Sequence, residues 1–243
     1  MISSPSSSGK DTEIATQIEK NHSDIKLAIN SAAASVGRDP DEVLLVAVSK
    51  MVGTPEIQDA IKAGIHDFAE NRSHLLLEKQ TALPSERWHF IGHIQTNKLK
   101  DVVGRASLIH SVATERALAA ISRLALQLGI CQSILVEVNI SGEDSKDGLS
   151  PAEAPGLLQR ASATQGVEVR GLMTMAPLAL TKEDKTARGI FAVLRELRDN
   201  LVPVFAGAEN ISLNELSMGM SDDFEDAIQE GATIVRIGRR LWS

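Results

Sequence analysis

LLVAVSKMVGTPEIQDAIKAGIHDFAEN, from Leu44 to Asn71, is the stretch whose reading decides the fold. It opens within an apolar run, Val43–Val48. It then passes through Pro55–Ala63, where apolar residues recur at helical spacing, and closes on a second apolar run at Ile65–Ala69. Short continuous apolar runs read as strands buried on both faces. Strand, helix and strand in so brief a span read as a βαβ unit of a parallel sheet. The first run ends on Ser49 and Lys50. Lysine is among the residues least often fully buried, so a core strand that ends on one calls for a reason.

The same alternation continues along the chain. Further apolar runs lie at Trp88–Gly92, Ser107–Val112, Gln132–Asn139, Val167–Met173, Ile211–Leu216 and Thr233–Ile237. Amphipathic segments separate them at Arg72–Thr81, Thr96–Val103, Thr114–Leu128, Pro151–Thr164, Lys182–Asn200 and Ser221–Glu230. Eight strands with a helix in every gap match the α/β class and, within it, a single (β/α)8 TIM barrel rather than an open doubly wound sheet. A further helix over Glu13–Ala34, carrying Ile14, Ile18, Ile25, Leu27 and Ile29, precedes the first strand, and Gly37 and Pro40 stop it. No linker interrupts the series, so residues 13–243 read as one domain and residues 1–12 as a disordered Ser-rich tail.

Composition narrows the function. The 243 residues carry a formal charge of −7, which argues against a protein built to bind nucleic acid or an anionic membrane. No apolar stretch is long enough to span a bilayer. The tail has neither the apolar core of a signal peptide nor the arginines of a transit peptide. A cytoplasmic protein is expected, with organelle targeting by the tail left open. The single cysteine, Cys131, cannot form an internal disulfide and is expected to serve as packing.

In a barrel of this kind the active site is built from the loops at the carboxyl ends of the strands. Lys50, Glu70-Asn71, His93, Ser111, Asn139-Ile140-Ser141, Met173-Thr174-Met175, Ser217-Met218-Gly219 and Arg236-Ile237-Gly238-Arg239 fall there. Several have plain structural readings. Asn71 suits a helix cap, and Asp222, Asp223 and Glu225 suit the first turn of a helix. His89 and His93 are four apart but lack a third ligand, so no metal site is expected. Glu137 inside a strand would be costly without a partner, and Lys146 is the partner considered. The segments after strands seven and eight differ in kind. Gly219 and Gly238 allow backbone N–H groups to approach an anion, Ser217 adds a hydroxyl, and a helix opening at Ser221 adds its dipole. A phosphate there would share one mouth with Lys50. Ligands with a phosphate at one end and a carbonyl at the other fit: pyridoxal 5′-phosphate (PLP), or the sugar phosphates of Schiff-base aldolases.

Six ordered motifs then carry a resemblance. AVSK (Ala47–Lys50), FAEN (Phe68–Asn71), WHFIGHIQTNK (Trp88–Lys98), VNISGEDSKDG (Val138–Gly148), GLMTMAP (Gly171–Pro177) and LSMGMSDDFEDAIQEGATIVRIG (Leu216–Gly238) together resemble the pyridoxal phosphate homeostasis protein family, related to the barrel domain of alanine racemase. The resemblance implies that Lys50 forms a Schiff base with PLP. It implies that Ser217, Gly238 and the backbone at Met218 and Arg239 hold the phosphate, that Arg236 faces the pyridine nitrogen, and that Asn71 lines the ring. Three departures stand out: Ala69 where the family has glycine, Arg72 after the motif, and the ending LWS. None removes an implied ligand. The partners expected are PLP itself and apo-PLP enzymes as recipients, with the chain a monomer.

Racemases of this barrel type supply a second acid/base from a tyrosine, and this chain has no tyrosine. An arginine facing the ring nitrogen cannot take up a proton from it, which leaves the ring a poorer electron sink. Both features favour a carrier that buffers and delivers PLP, without catalytic turnover. A PLP-dependent amino-acid racemase of narrow substrate range is the alternative.

Overall fold

The apolar runs become eight parallel strands in a computed structural model that describes residues 7–143, 147–177 and 186–243: β1 (Leu44–Val48), β2 (Asp67–Glu70), β3 (Arg87–Phe90), β4 (Leu108–Val112), β5 (Gln132–Glu137), β6 (Val167–Met173), β7 (Ile211–Ser217) and β8 (Ile234–Ile237). They pair in chain order, and β8 returns to β1, closing the barrel. Around it stand α1 (Ser7–Ser35), α2 (Thr54–Lys62), α3 (Ser73–Ala82), α4 (Glu115–Leu128), α5 (Ala154–Ser162), α6 (Ala187–Phe205), α7 (Phe224–Gln229) and α8 (Arg239–Trp242).

The period-two alternation of the strands divides the buried residues into two sets. Ala47, Phe68, Trp88, Ile109, Ile134, Val136, Leu172, Leu216, Val235 and Ile237 join the large cluster between sheet and helices. Val46, Val48, Ala69, Leu108, Leu135, Met173 and Ile234 form a smaller cluster that fills the lumen. The register pairs Ala47 with Ile237. The end of β1 and the end of β8 therefore reach the same rim side by side.

Four expectations shift. The N-terminal helix begins at Ser7, ahead of the expected Glu13, while residues 1–6 of the expected tail lie outside the described residues. Within that helix Ile18, Ile25 and Ile29 are buried, whereas Ile14 and Leu27 face solvent, because two residues from Ile25 is more than half a turn away. Thr96–Asp101 between β3 and β4 is a 3-10 segment rather than an α-helix, as suits a short polar stretch with one buried apolar residue, Leu99. The last long gap opens as a turn, in which the Asp223 carboxylate accepts from the Met220 N–H at 2.6 Å, and α7 starts only at Phe224. Finally, Cys131 is exposed rather than packed. It lies just beyond the left-handed Gly129 that ends α4 and just before β5 begins at Gln132. Lys182–Lys185 of the expected sixth barrel helix lie outside the described residues, as does Lys146.

Candidate functional site

Lys50 is exposed at the carboxyl end of β1. Val46 and Val48 belong to the lumen cluster, so the alternation carries Lys50 onto the lumen side and Ser49 outward. Ser49 is fully buried, and its hydroxyl lies 3.1 Å from Glu70 Oε1. Glu70 forms a buried ion pair with Lys79 of α3. The Lys79 ammonium also donates to the Ser49 carbonyl at 2.7 Å. Glu70, which reads from sequence as half of a helix cap, therefore faces away from the lumen. Together with Lys79 it clamps the backbone that presents Lys50.

Asn71 follows at the same rim. Its backbone N–H donates to Glu70 Oε2 at 3.2 Å, and its carbonyl crowds the next strand's loop. A Cβ on Gly92 would sit 2.0 Å from that oxygen, so only glycine fits in WHFIGH. Asn71, His93 and Lys98 line a cleft of about 310 Å³ beside the rim. A larger depression of about 940 Å³ lies between α4 and α5, on the outer wall and away from the strand ends. His93 pairs with Asp147 at 2.9 Å in the open, whereas His89 is buried. The two histidines thus point into different environments. Among the described residues no cluster of three metal-ligating side chains occurs.

On the opposite wall Ser217 ends β7 and Arg236 lies in β8, both buried. Arg236 donates from Nη1 to Ser217 Oγ at 2.5 Å and from Nη2 to the Thr174 carbonyl at 2.9 Å. Burial lowers its pKa to about 10 against the pull of Glu137 and Asp223, so it remains a cation at neutral pH. Glu137, on β5, is pushed up to about 7, first by burial and then by Asp147, while Arg236 and His93 act in the other direction. Among the described residues Arg236 is thus the first of the groups that favour the Glu137 charge, ahead of His93.

Met218 is buried, and its N–H donates to the Ile234 carbonyl at 3.1 Å. Gly219 has φ +92°, and a Cβ there would lie 2.6 Å from Ala227 Cβ. Its glycine is dictated by the turn into α7. Gly238 is different. A Cβ there would only come into ordinary contact with Val48, at 3.5 Å from its Cβ, so the Gly238 backbone lies against the end of β1. The Gly238 N–H reaches Ser221 Oγ at 3.3 Å. Ser221 thus serves the β8 loop rather than opening a helix. Arg239 is exposed and paired with Asp222.

Sequence reading passed over one set of polar residues. Asp67 on β2, His89 on β3 and His110 on β4 are all buried and hydrogen-bonded in series to Ser217. His89 Nε2 lies 3.2 Å from Asp67 Oδ1, His89 Nδ1 lies 2.9 Å from His110 Nε2, and His110 Nδ1 lies 2.8 Å from Ser217 Oγ. Strand parity was the signal that would have found them. Asp67 is two residues from the lumen residue Ala69, and His110 two from Leu108.

A buried serine and arginine on β7 and β8, the latter paired with the strand that ends at Lys50, fit a phosphorylated aldehyde. Hydroxyl and backbone N–H groups suit the anion, and the amine suits the carbonyl.

The chain matches the model of the alanine racemase N-terminal domain over residues 21–242. It is 40% identical over 216 residues to the pyridoxal phosphate homeostasis protein of Aquifex aeolicus, covering 88% of this chain and 92% of that one. Its identity to the protein of the same name in Escherichia coli K12 is 32% over 233 residues, covering 93% and 95%. Among solved structures it resembles PipY of Synechococcus elongatus with PLP bound (TM-score 0.76, 35% identity, covering 88% of this chain and 100% of that chain). Alanine racemase of Clostridium difficile, at 14% identity and TM-score 0.72, shares the barrel; the match covers 93% of this chain and 56% of the racemase chain.

Proposed function

The chain belongs to the pyridoxal phosphate homeostasis protein family, and on that premise we propose that it binds PLP at the carboxyl-end mouth of its barrel and buffers and delivers it. The observation that supports this reading is the pairing of β1, which ends ahead of Lys50, with β8, whose buried Arg236 is hydrogen-bonded to Ser217.

When bound, the cofactor supplies an aldehyde carbon that accepts a lysine amine. Lys50 is the tether. Its stem leaves the apolar β1 wall, and its amine reaches into the mouth. Ser217 and the Gly238 and Arg239 backbone hold the phosphate; the Met218 backbone expected there is instead taken up by the Ile234 carbonyl. Arg236 faces the ring nitrogen as a fixed cation. Held at Ser217 and Thr174, it donates hydrogen bonds and moves no proton at neutral pH. Asn71 lines the ring from β2. No tyrosine is available as a second acid/base. The site therefore binds and orients without an evident partner for proton exchange.

Apo-PLP enzymes are the recipients this role requires, with the chain acting as a cytoplasmic monomer. Among the described residues no helix is long and apolar enough to cross a membrane. Transfer of PLP from the loaded protein to an apo-enzyme, faster than from an equal concentration of free PLP, is the expected result. Turnover of any D- or L-amino acid above that of free PLP would favour the racemase alternative and overturn the carrier role.

A further inference from the structure

The buried chain Asp67–His89–His110–Ser217 allows complete hydrogen-bond arrangements of two kinds, and they differ by one proton. Asp67 fixes one end. Burial opposes its charge, yet hydrogen bonds from His89 and Arg87 hold its carboxyl below the ordinary range. It is an acceptor, so His89 must donate to it from Nε2. Arg236 fixes the other end, because its Nη1–H already occupies one lone pair of Ser217 Oγ.

If both rings are neutral, His89 Nδ1 is bare and accepts from His110 Nε2–H. His110 Nδ1 is then bare and takes the hydrogen of the Ser217 hydroxyl. In this arrangement Ser217 has no hydrogen left for a ligand. If the histidine pair carries one more proton, His110 donates from Nδ1 to the second lone pair of Ser217, and the serine hydrogen is released. The bond between the rings then runs from His110 Nε2–H or from His89 Nδ1–H. Freeing the serine hydrogen without that proton leaves a buried acceptor without a donor.

We propose that His110 and His89 are positioning residues that set the direction of the Ser217 hydroxyl, and that seating an oxyanion on Ser217 takes up one proton into this histidine pair. The inference rests on the reading of Ser217 as part of the phosphate seat. The proton goes from solvent to the histidine pair, the Ser217 hydrogen turns from His110 to the anion, and the O–H bond of Ser217 is kept. The charged groups around the pair are Asp67, bound bidentately by Arg87, and Arg236, which Glu137 and Asp223 face in turn. Burial first, then His89 and Arg236, hold His110 well below the ordinary imidazole range, and the arriving anion offsets Arg236.

Sulfate is the probe of choice, because its own ionisation does not change between about pH 6 and pH 9, so any proton taken up belongs to the protein. Calorimetry of sulfate binding to the apo, full-length protein in buffers of different ionisation enthalpy should show net proton uptake approaching one per anion. Where uptake is complete, affinity should fall by up to about tenfold per pH unit. The double variant His89→Gln/His110→Gln, which has no imidazole to hold the proton, should bind with no proton uptake and a flat pH profile. Nitrogen-15 imidazole spectra of the wild type should show His110 Nδ1 gaining a hydrogen as sulfate is added. The spectra decide the matter if the variant does not fold. Binding without proton uptake and without a hydrogen gained at His110 Nδ1 would overturn this inference and leave the phosphate seat standing. Failure of both sulfate and inorganic phosphate to bind would overturn the seat at Ser217 and this inference with it.

Discussion

Lys79→Met should be among the most damaging single changes that touch no proposed ligand. Glu70 is 0% exposed and Lys79 5%, and the two form an ion pair behind the strand end that presents Lys50. Methionine matches the lysine stem closely, so no cavity opens. What remains is a buried carboxylate without its cation, which costs about 3–5 kcal/mol. Loss of the 2.7 Å bond from Nζ to the Ser49 carbonyl adds about 1 kcal/mol. In a chain of this size each kcal/mol moves the midpoint by about 2–4 °C, so the melting temperature should fall by about 8–24 °C. The double variant Lys79→Met/Glu70→Gln removes the orphaned charge and keeps an acceptor for the Ser49 hydroxyl. It should recover to within about 2 kcal/mol of the parent. Urea denaturation followed by circular dichroism on the parent, both singles and the double gives the full cycle. A Lys79→Met variant that loses less than about 1 kcal/mol, or a double variant no more stable than the single, would refute the reasoning.

Glu137 gives the clearest pH signature. Its carboxyl is raised from 4.5 to about 7 in the folded state, so between those values the folded chain holds a proton that the unfolded chain has lost. Its stabilising contribution is complete below about pH 4.5, fades as pH rises through about 7, and totals roughly 3 kcal/mol. Glu137→Gln should therefore stabilise the protein above pH 7 and leave it little changed below about pH 4.5, as read from denaturation midpoints across pH. Gly92→Ala forces a Cβ to within 2.0 Å of the Asn71 carbonyl. It should cost about 3 kcal/mol or more, measurable by thermal melting, with Asn71 displaced from the rim.

Strand order and barrel closure were legible because each strand is a short apolar run and each gap carries helical spacing. The lumen-side placement of Lys50 follows from parity once Val46 and Val48 are taken as interior. Ser217 and Arg236 were found for a local reason, polar residues interrupting glycine-flanked strand ends. Glu70 was not understood, because its partner Lys79 is a lysine on the buried face of α3, and nothing local in sequence couples them. His89 was weighed against His93 as a metal pair, a helical spacing applied to a strand. Period-two reading aligns it instead with Asp67 and His110 in the lumen. Thr96–Val103 carried enough apolar residues to suggest a helix, but its packing through Leu99 needs only a 3-10 segment.

The central claim is that Lys50 is the point at which this barrel holds PLP. Incubation of the purified protein with PLP, reduction with borohydride and peptide mapping test it directly. The account predicts a covalent label on Lys50, lost in Lys50→Ala. A protein that takes up no label, or a Lys50→Ala variant labelled to the same extent, would contradict it.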